Sequence, residues 1–114
     1  MNLTQKVCKS CEGGVLPLSM EKIKPYLAEI SPEWNVGDDG KHIYRTFLFP
    51  TFLEAIEFVK KVAELAERED HHPDIDIRFS KVILDLMTHA IGGLSENDFI
   101  MAAKVDKMMS DVRR

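Results

Sequence analysis

A chain of 114 residues with 45% apolar and 30% charged side chains has the size and balance of one soluble domain. Its formal charge of -4 and its scattered lysines and arginines exclude the basic stripe of a nucleic-acid binder, and no apolar run reaches the roughly 20 residues of a membrane span. The opening Met1-Asn2-Leu3-Thr4-Gln5-Lys6 has no apolar signal core, so the cytoplasm is the expected location.

Residues 1–18 read as an N-terminal arm of a single domain that takes in 1–114. The arm carries both cysteines, Cys8 and Cys11, as one CxxC. That motif supplies two of the four ligands of a structural zinc site, and it neither follows a strand nor opens a helix as a redox pair would. Two reduced thiols of minor structural weight are expected. Ser19 can cap a helix with Ile23, Tyr26, Leu27 and Ile30 on one face. Pro25 should kink that helix or delay its start, and Ser31-Pro32 ends it.

Trp34-Asn35-Val36 is a short strand, Gly37-Asp38-Asp39-Gly40 a turn, and His42 to Phe49 the partner strand of an antiparallel hairpin. Ile43, Arg45, Phe47 and Phe49 share one face of it. Thr51-Phe52-Leu53-Glu54 is a capping box. The helix behind it should bury Phe52, Ile56, Val59, Ala63 and Ala66 and run to about His71, because Pro73 forces His72 out of helical geometry. Ile75–Phe79 and Lys81–His89 follow as strands, the second with Val82, Leu84, Leu86 and Thr88 on one face and Lys81, Ile83, Asp85, Met87 and His89 on the other. The turn between them carries no decisive signal. Gly92-Gly93 closes the last strand. Ser95-Glu96-Asn97-Asp98 starts a helix with Met101, Val105, Met108 and Val112 as its stripe. The order α-β-β-α-β-β-α predicts an α+β fold: a four-stranded antiparallel sheet with three helices packed on one face.

The chemistry centres on Glu67-Arg68-Glu69-Asp70-His71-His72-Pro73-Asp74. Two adjacent imidazoles fixed by a proline, with His89 returning from a strand end, suit proton transfer or metal binding. No HxH or HxxxH pair is present, which leaves zinc the weaker of the two. Histidines at a helix C-terminus are also favoured by the macrodipole alone. Glu67 lies one turn before His71 and would share its face, where the carboxylate can orient the ring; a solvated helix carboxylate is the plain alternative. Asp98 has a purely structural role available as the cap residue. His42 reads as a strand surface residue.

Glu67, His71-His72-Pro73, Phe79-x-Lys81-Val82 and Thr88-His89-x-x-Gly92-Gly93-Leu94-Ser95-x-x-Asp98 together resemble the pterin-4a-carbinolamine dehydratases, and the resemblance reaches back to Trp34 and Phe47-x-Phe49. It covers about residues 19–114. The resemblance implies dehydration of 4a-hydroxytetrahydropterin to quinonoid dihydropterin in tetrahydrobiopterin recycling, with no metal and no cofactor. It implies His71, His72 and His89 as catalytic residues, Glu67 and Asp98 as supporting acids, and Trp34, Pro73 and Thr88 as substrate contacts. The partners implied are a reduced pterin and further copies of the chain, as homodimer or homotetramer, with neither nucleic acid nor membrane bound directly. Two positions depart from the family pattern: Ile75 where an aromatic is frequent, and Phe79 where tyrosine is common. A non-catalytic dimerisation or transcriptional-coactivator-type module on the same fold is the alternative.

Overall fold

The computed structural model describes residues 1–10 and 15–112, with side chains through Asp111. Seven principal elements follow one another: α1 (Met20–Leu27), β1 (Asn35–Val36), β2 (Ile43–Leu48), α2 (Phe52–Glu69), β3 (Asp74–Arg78), β4 (Lys81–Leu86) and α3 (Glu96–Val112). The strands form one antiparallel sheet in the order β1-β2-β4-β3. This is the predicted α+β architecture.

Alternation in the two central strands sets the layers. Ile43, Arg45 and Phe47 of β2 and Val82, Leu84 and Leu86 of β4 are buried, while their neighbours are half-buried or exposed. The helices supply the opposing layer with Ile23, Phe58, Val62, Leu65, Phe99, Ile100, Met101 and Val105. Phe58 packs against both Phe47 and Phe49, with ring centroids 4.7 and 5.1 Å away.

Capping chemistry fixes each helix start. Ser19 accepts the Lys22 N–H and Thr51 accepts the Glu54 N–H, so α1 and α2 begin where their sequence signals stand. Pro25 does not delay α1; it lies inside a helix of only two turns. The buried face of α2 differs from the expected one. Ala55, Phe58, Val62, Leu65 and Ala66 face inward, whereas Phe52 and Ile56 are exposed and Ala63 lies outside. Two apolar stripes with three- and four-residue spacing run side by side along this helix. The sheet takes the one carrying Phe58 and Leu65. In α3, Met101 and Val105 are buried as expected, Met108 is half-buried, and the side chain of Val112 lies outside the described residues.

Two ends also differ from expectation, and both shape the site. α2 stops at Glu69 because Asp70 turns left-handed at φ 52°, with its own N–H and that of His71 both reaching the Ala66 carbonyl. β4 stops at Leu86, so His89 stands in a 3₁₀ turn, His89–Ile91, and not on a strand. The chain folds back there: Thr88 bridges to Gly93, and Gly92 sits at φ 66°. Between β3 and β4 a two-residue loop holds Phe79 left-handed at φ 54° and leaves its ring in solvent.

The arm is docked. Leu3, in a 3₁₀ turn (Leu3–Gln5), is buried against α3, and the Leu18 N–H donates to the Leu94 carbonyl. A Cβ on Gly93 would come within 2.6 Å of Pro17, so the glycine admits the arm. Cys11 lies outside the described residues.

Candidate active site

His71 enters from the C-terminal turn of α2, and Asp98 meets it from the first turn of α3. His71 Nε2 lies 2.7 Å from Asp98 Oδ1, and the carboxylate is fully buried. Its other oxygen accepts the Thr88 hydroxyl at 2.8 Å and the Ser95 N–H at 3.0 Å. Thr88 and Ser95 share a further hydroxyl contact of 2.7 Å. A carboxylate held by this many donors cannot swing away. It fixes the ring orientation and, in the neutral imidazole, selects the tautomer whose Nε2–H donates to Asp98 and whose Nδ1 carries the lone pair.

His72 points elsewhere. Its Nε2 pairs with Glu67 Oε2 at 2.6 Å, and both side chains are largely in solvent. Glu67 therefore serves His72, not His71 as its helical spacing suggested. The early left-handed turn at Asp70 is the reason: it swings His71 off the face of α2 and under α3. An exposed pair of this kind orients a ring but adds little stability.

His71, His72, His89, Thr88, Asp70 and Met87 open onto one cleft of about 370 Å³, completed by Ala90, Asn97, Lys9 and Ser10. His89 is exposed at its rim. A larger cavity, about 480 Å³, lies at the other end of α2 between Phe49, Phe58 and Met109 and holds no histidine. Among the described residues no cluster of three or more His, Cys, Asp or Glu side chains is arranged to hold a metal ion. Among the described residues no helix is long and apolar enough to cross a membrane.

The family model for pterin 4 alpha carbinolamine dehydratase matches residues 16–108. The chain belongs to the pterin-4a-carbinolamine dehydratase family. Curated relatives provisionally named pterin-4-alpha-carbinolamine dehydratase include one from Rickettsia bellii, 46% identical over 96% of both chains. Another, from Halorhodospira halophila, is 46% identical over 95% of this chain and 98% of its own. A crystal structure described as a transcriptional coactivator/pterin dehydratase from Brucella melitensis superposes with a TM-score of 0.75 at 30% identity, over 81% of this chain and 97% of that one. A pterin dehydratase-like protein identified as a RuBisCO assembly factor in the alpha-carboxysome shares the fold, at TM-score 0.58 and 22% identity, over 67% of this chain and 88% of that one.

Within this dehydratase-family chain the fold gathers His71, His72, His89, Thr88 and Asp98 at one place and leaves Trp34 elsewhere. Trp34 is buried against Phe47, and its Nε1–H donates to Asp106 Oδ1 at 2.8 Å. It does not line the cleft. Pro73 is half-buried behind His72 and does not line it either. Asp106 also accepts from Arg45 at 2.7 Å and from the Ser31 N–H at 2.8 Å. Arg45 on the apolar face of β2 was the one sequence signal for this buried network. His42 contacts Asp85 at 2.9 Å and stacks on Tyr44, away from the cleft. Sequence reasoning missed Asn97, Lys9 and Ser10, since no periodicity links the arm to the histidines.

Cys8 is half-buried in that arm. Burial and the neighbouring Glu69 carboxylate push its thiol up to about 12. Burial would raise Glu69 as well, but Lys104 Nζ at 2.7 Å and the Cys8 N–H at 2.9 Å outweigh it and hold the carboxyl below its ordinary range.

Proposed function

We propose that the protein dehydrates 4a-hydroxytetrahydropterin to quinonoid dihydropterin by histidine general acid/base catalysis. The C4a–O bond breaks, the hydroxyl leaves as water with a proton supplied by the enzyme, and the ring nitrogen gives up its proton as the C=N bond forms. One proton enters and one leaves, so the net proton count is unchanged, proton exchange with solvent resets the acid and the base, and no outside reductant or oxidant is needed. The observation that carries this reading is the His71–Asp98 pair at 2.7 Å beneath a cleft rimmed by His72 and His89.

His71 is the base in this scheme. Its Nδ1 takes the proton while Asp98, already hydrogen-bonded to Nε2, stabilises the imidazolium that results. His89, exposed at the rim, supplies the proton to the departing hydroxyl. His72, steadied by Glu67 and directed by Pro73, orients the pterin. Assistance of this kind contributes roughly 10²–10⁴-fold. The substrate is a reduced pterin, the setting is tetrahydrobiopterin-type recycling in the cytoplasm, and the reaction needs neither metal nor cofactor.

The test is an assay with 4a-hydroxytetrahydropterin generated in situ, run in chelator. Turnover well above the spontaneous rate is expected. A rate equal to the uncatalysed one, or activity that chelator removes and zinc restores, would overturn the mechanism. A second reading, a non-catalytic dimerisation or coactivator-type module, is favoured by one observation: Phe52, Leu53 and Ile56 leave an apolar row exposed on α2. Failure to bind a reduced pterin analogue would favour that module.

A further inference from the structure

The arm does more than pack. Residues 6–10 are strapped across the junction between the end of α2 and the start of α3. Asn97, 6% exposed, takes the backbone of Lys9 in both directions: the Lys9 N–H donates to Oδ1 at 2.9 Å, and Nδ2 donates to the Lys9 carbonyl at 2.6 Å. The Cys8 N–H donates to Glu69 Oε1 at 2.9 Å, and Cys8 Sγ lies 3.7 Å from the Asn97 carbonyl. Lys6 Nζ reaches Glu96 at 3.0 Å.

The strap contributes little to the core. Thr4 through Val7 are exposed, as are Lys9 and Ser10, and Cys8 is only half-buried. A segment that buries so little apolar surface yet engages a buried amide in a two-way bond is held for its position. That position is the lip of the histidine cleft, which Lys9 and Ser10 both line. Asn97 and Asp98 are consecutive, so one turn of α3 fixes two walls at once: the strap through Asn97 and His71 through Asp98. The Ser10 hydroxyl has no partner among the described residues. It can both donate and accept, as the amide-like edge of a pterin requires.

Resting on the pterin reading above, we infer that residues 8–10 form a wall of the pterin site. Ser10 meets the bound ring, and Asn97 is the positioning residue that sets this wall against His71.

Two variants test the wall through the split between KM and kcat in the dehydration assay. Ser10→Tyr places a bulky ring at an exposed position on the cleft, so folding is retained and KM rises on the order of tenfold or more. Asn97→Ala removes both bonds to Lys9, and KM rises roughly tenfold with kcat held within about twofold. A purely structural Asn97 would instead lower Tm and leave the KM of the folded fraction unchanged. If Asn97→Ala does not fold, Ser10→Tyr decides alone. A KM within about twofold of the unmodified protein for Ser10→Tyr overturns the wall, given the tenfold effect expected. Inactivity of the unmodified protein overturns the pterin reading and this inference together, whereas an active protein indifferent to Ser10→Tyr overturns only the inference.

Discussion

Replacing Asp98 with asparagine conserves volume and changes one property, the charge and donor pattern of a fully buried group. The asparagine has one acceptor oxygen for the Ser95 N–H and the Thr88 hydroxyl, which the carboxylate accepts at 3.0 and 2.8 Å. Its NH₂ must then face His71. That NH₂ donates where the carboxylate accepted, so it forces the His71 proton from Nε2 to Nδ1. The ring stays in place with its lone pair on the wrong nitrogen. Losing general base catalysis removes roughly 10²–10⁴ in kcat, and the expected loss is about 10²–10³ because His72 and His89 remain. One charge-assisted hydrogen bond is lost as well, about 1.5–3 kcal/mol, which corresponds to a Tm lowered by roughly 5–12 °C in a domain of this size. Steady-state rates corrected for spontaneous dehydration, together with thermal unfolding by circular dichroism, measure the two effects separately. The double variant Asp98→Asn/His71→Ala should be about as slow as the worse single one, since the two act as a unit. A kcat retained within about twofold, or losses that multiply in the double variant, would refute the reasoning.

His71→Ala and His89→Ala should each lower kcat by about two orders of magnitude, with Tm little changed for the exposed His89 but lowered for His71, whose removal leaves the buried Asp98 oxygen unpaired, while His72→Ala mostly raises KM; full loss of kcat in His72→Ala alone would exchange the roles of the adjacent pair. With Cys11 replaced by serine, Cys8 should resist alkylation at pH 8 until the chain unfolds, because a thiol pushed up to about 12 is almost wholly protonated there; rapid labelling of the native state would contradict its burial. Glu69 is held below the ordinary carboxylate value of 4.5, so its contribution to stability is present above that value and lost as pH falls through the lower folded value. Urea midpoints should accordingly drop below pH 4.5 less steeply in Glu69→Gln than in the unmodified chain, and identical slopes would count against the assignment. β3 presents a five-residue open edge, so the protein should be at least a dimer through pairing about a two-fold axis; a monomer by sedimentation at high concentration would oppose this.

Element order and most boundaries were legible because they rest on local chemistry. Ser19, Thr51 and the Ser95-to-Asp98 box mark helix starts through hydrogen bonds within four residues. The alternation of Val82, Leu84, Leu86 and Thr88 marks the core face through the pleat. The partners of the histidines were not legible in the same way. Spacing assigned Glu67 to His71, and a single left-handed residue, Asp70, reversed that by ending α2 early. The buried face of α2 was ambiguous for a different reason, since two apolar stripes compete and only the sheet decides between them. Trp34 illustrates a third limit. Its indole finds Asp106 across 72 residues, a pairing that local pattern does not encode.

Asp106 binds a consequence to that distance. β1 is two residues long and pairs only with β2, and the Ser31 N–H, Trp34 and Arg45 around it all converge on this one carboxylate in α3. The N-terminal hairpin thus cannot close on its own surface. Its anchoring depends on α3, 61 to 75 residues further along, so it carries the loop-closure entropy of that long separation. The same dependence runs backward in the native state: when α3 lifts at its middle, β1 loses its anchor first. Hydrogen exchange at Asn35 and Tyr44, the hydrogen-bonded pair of that ladder, would then follow the opening of α3 and not that of the neighbouring strand.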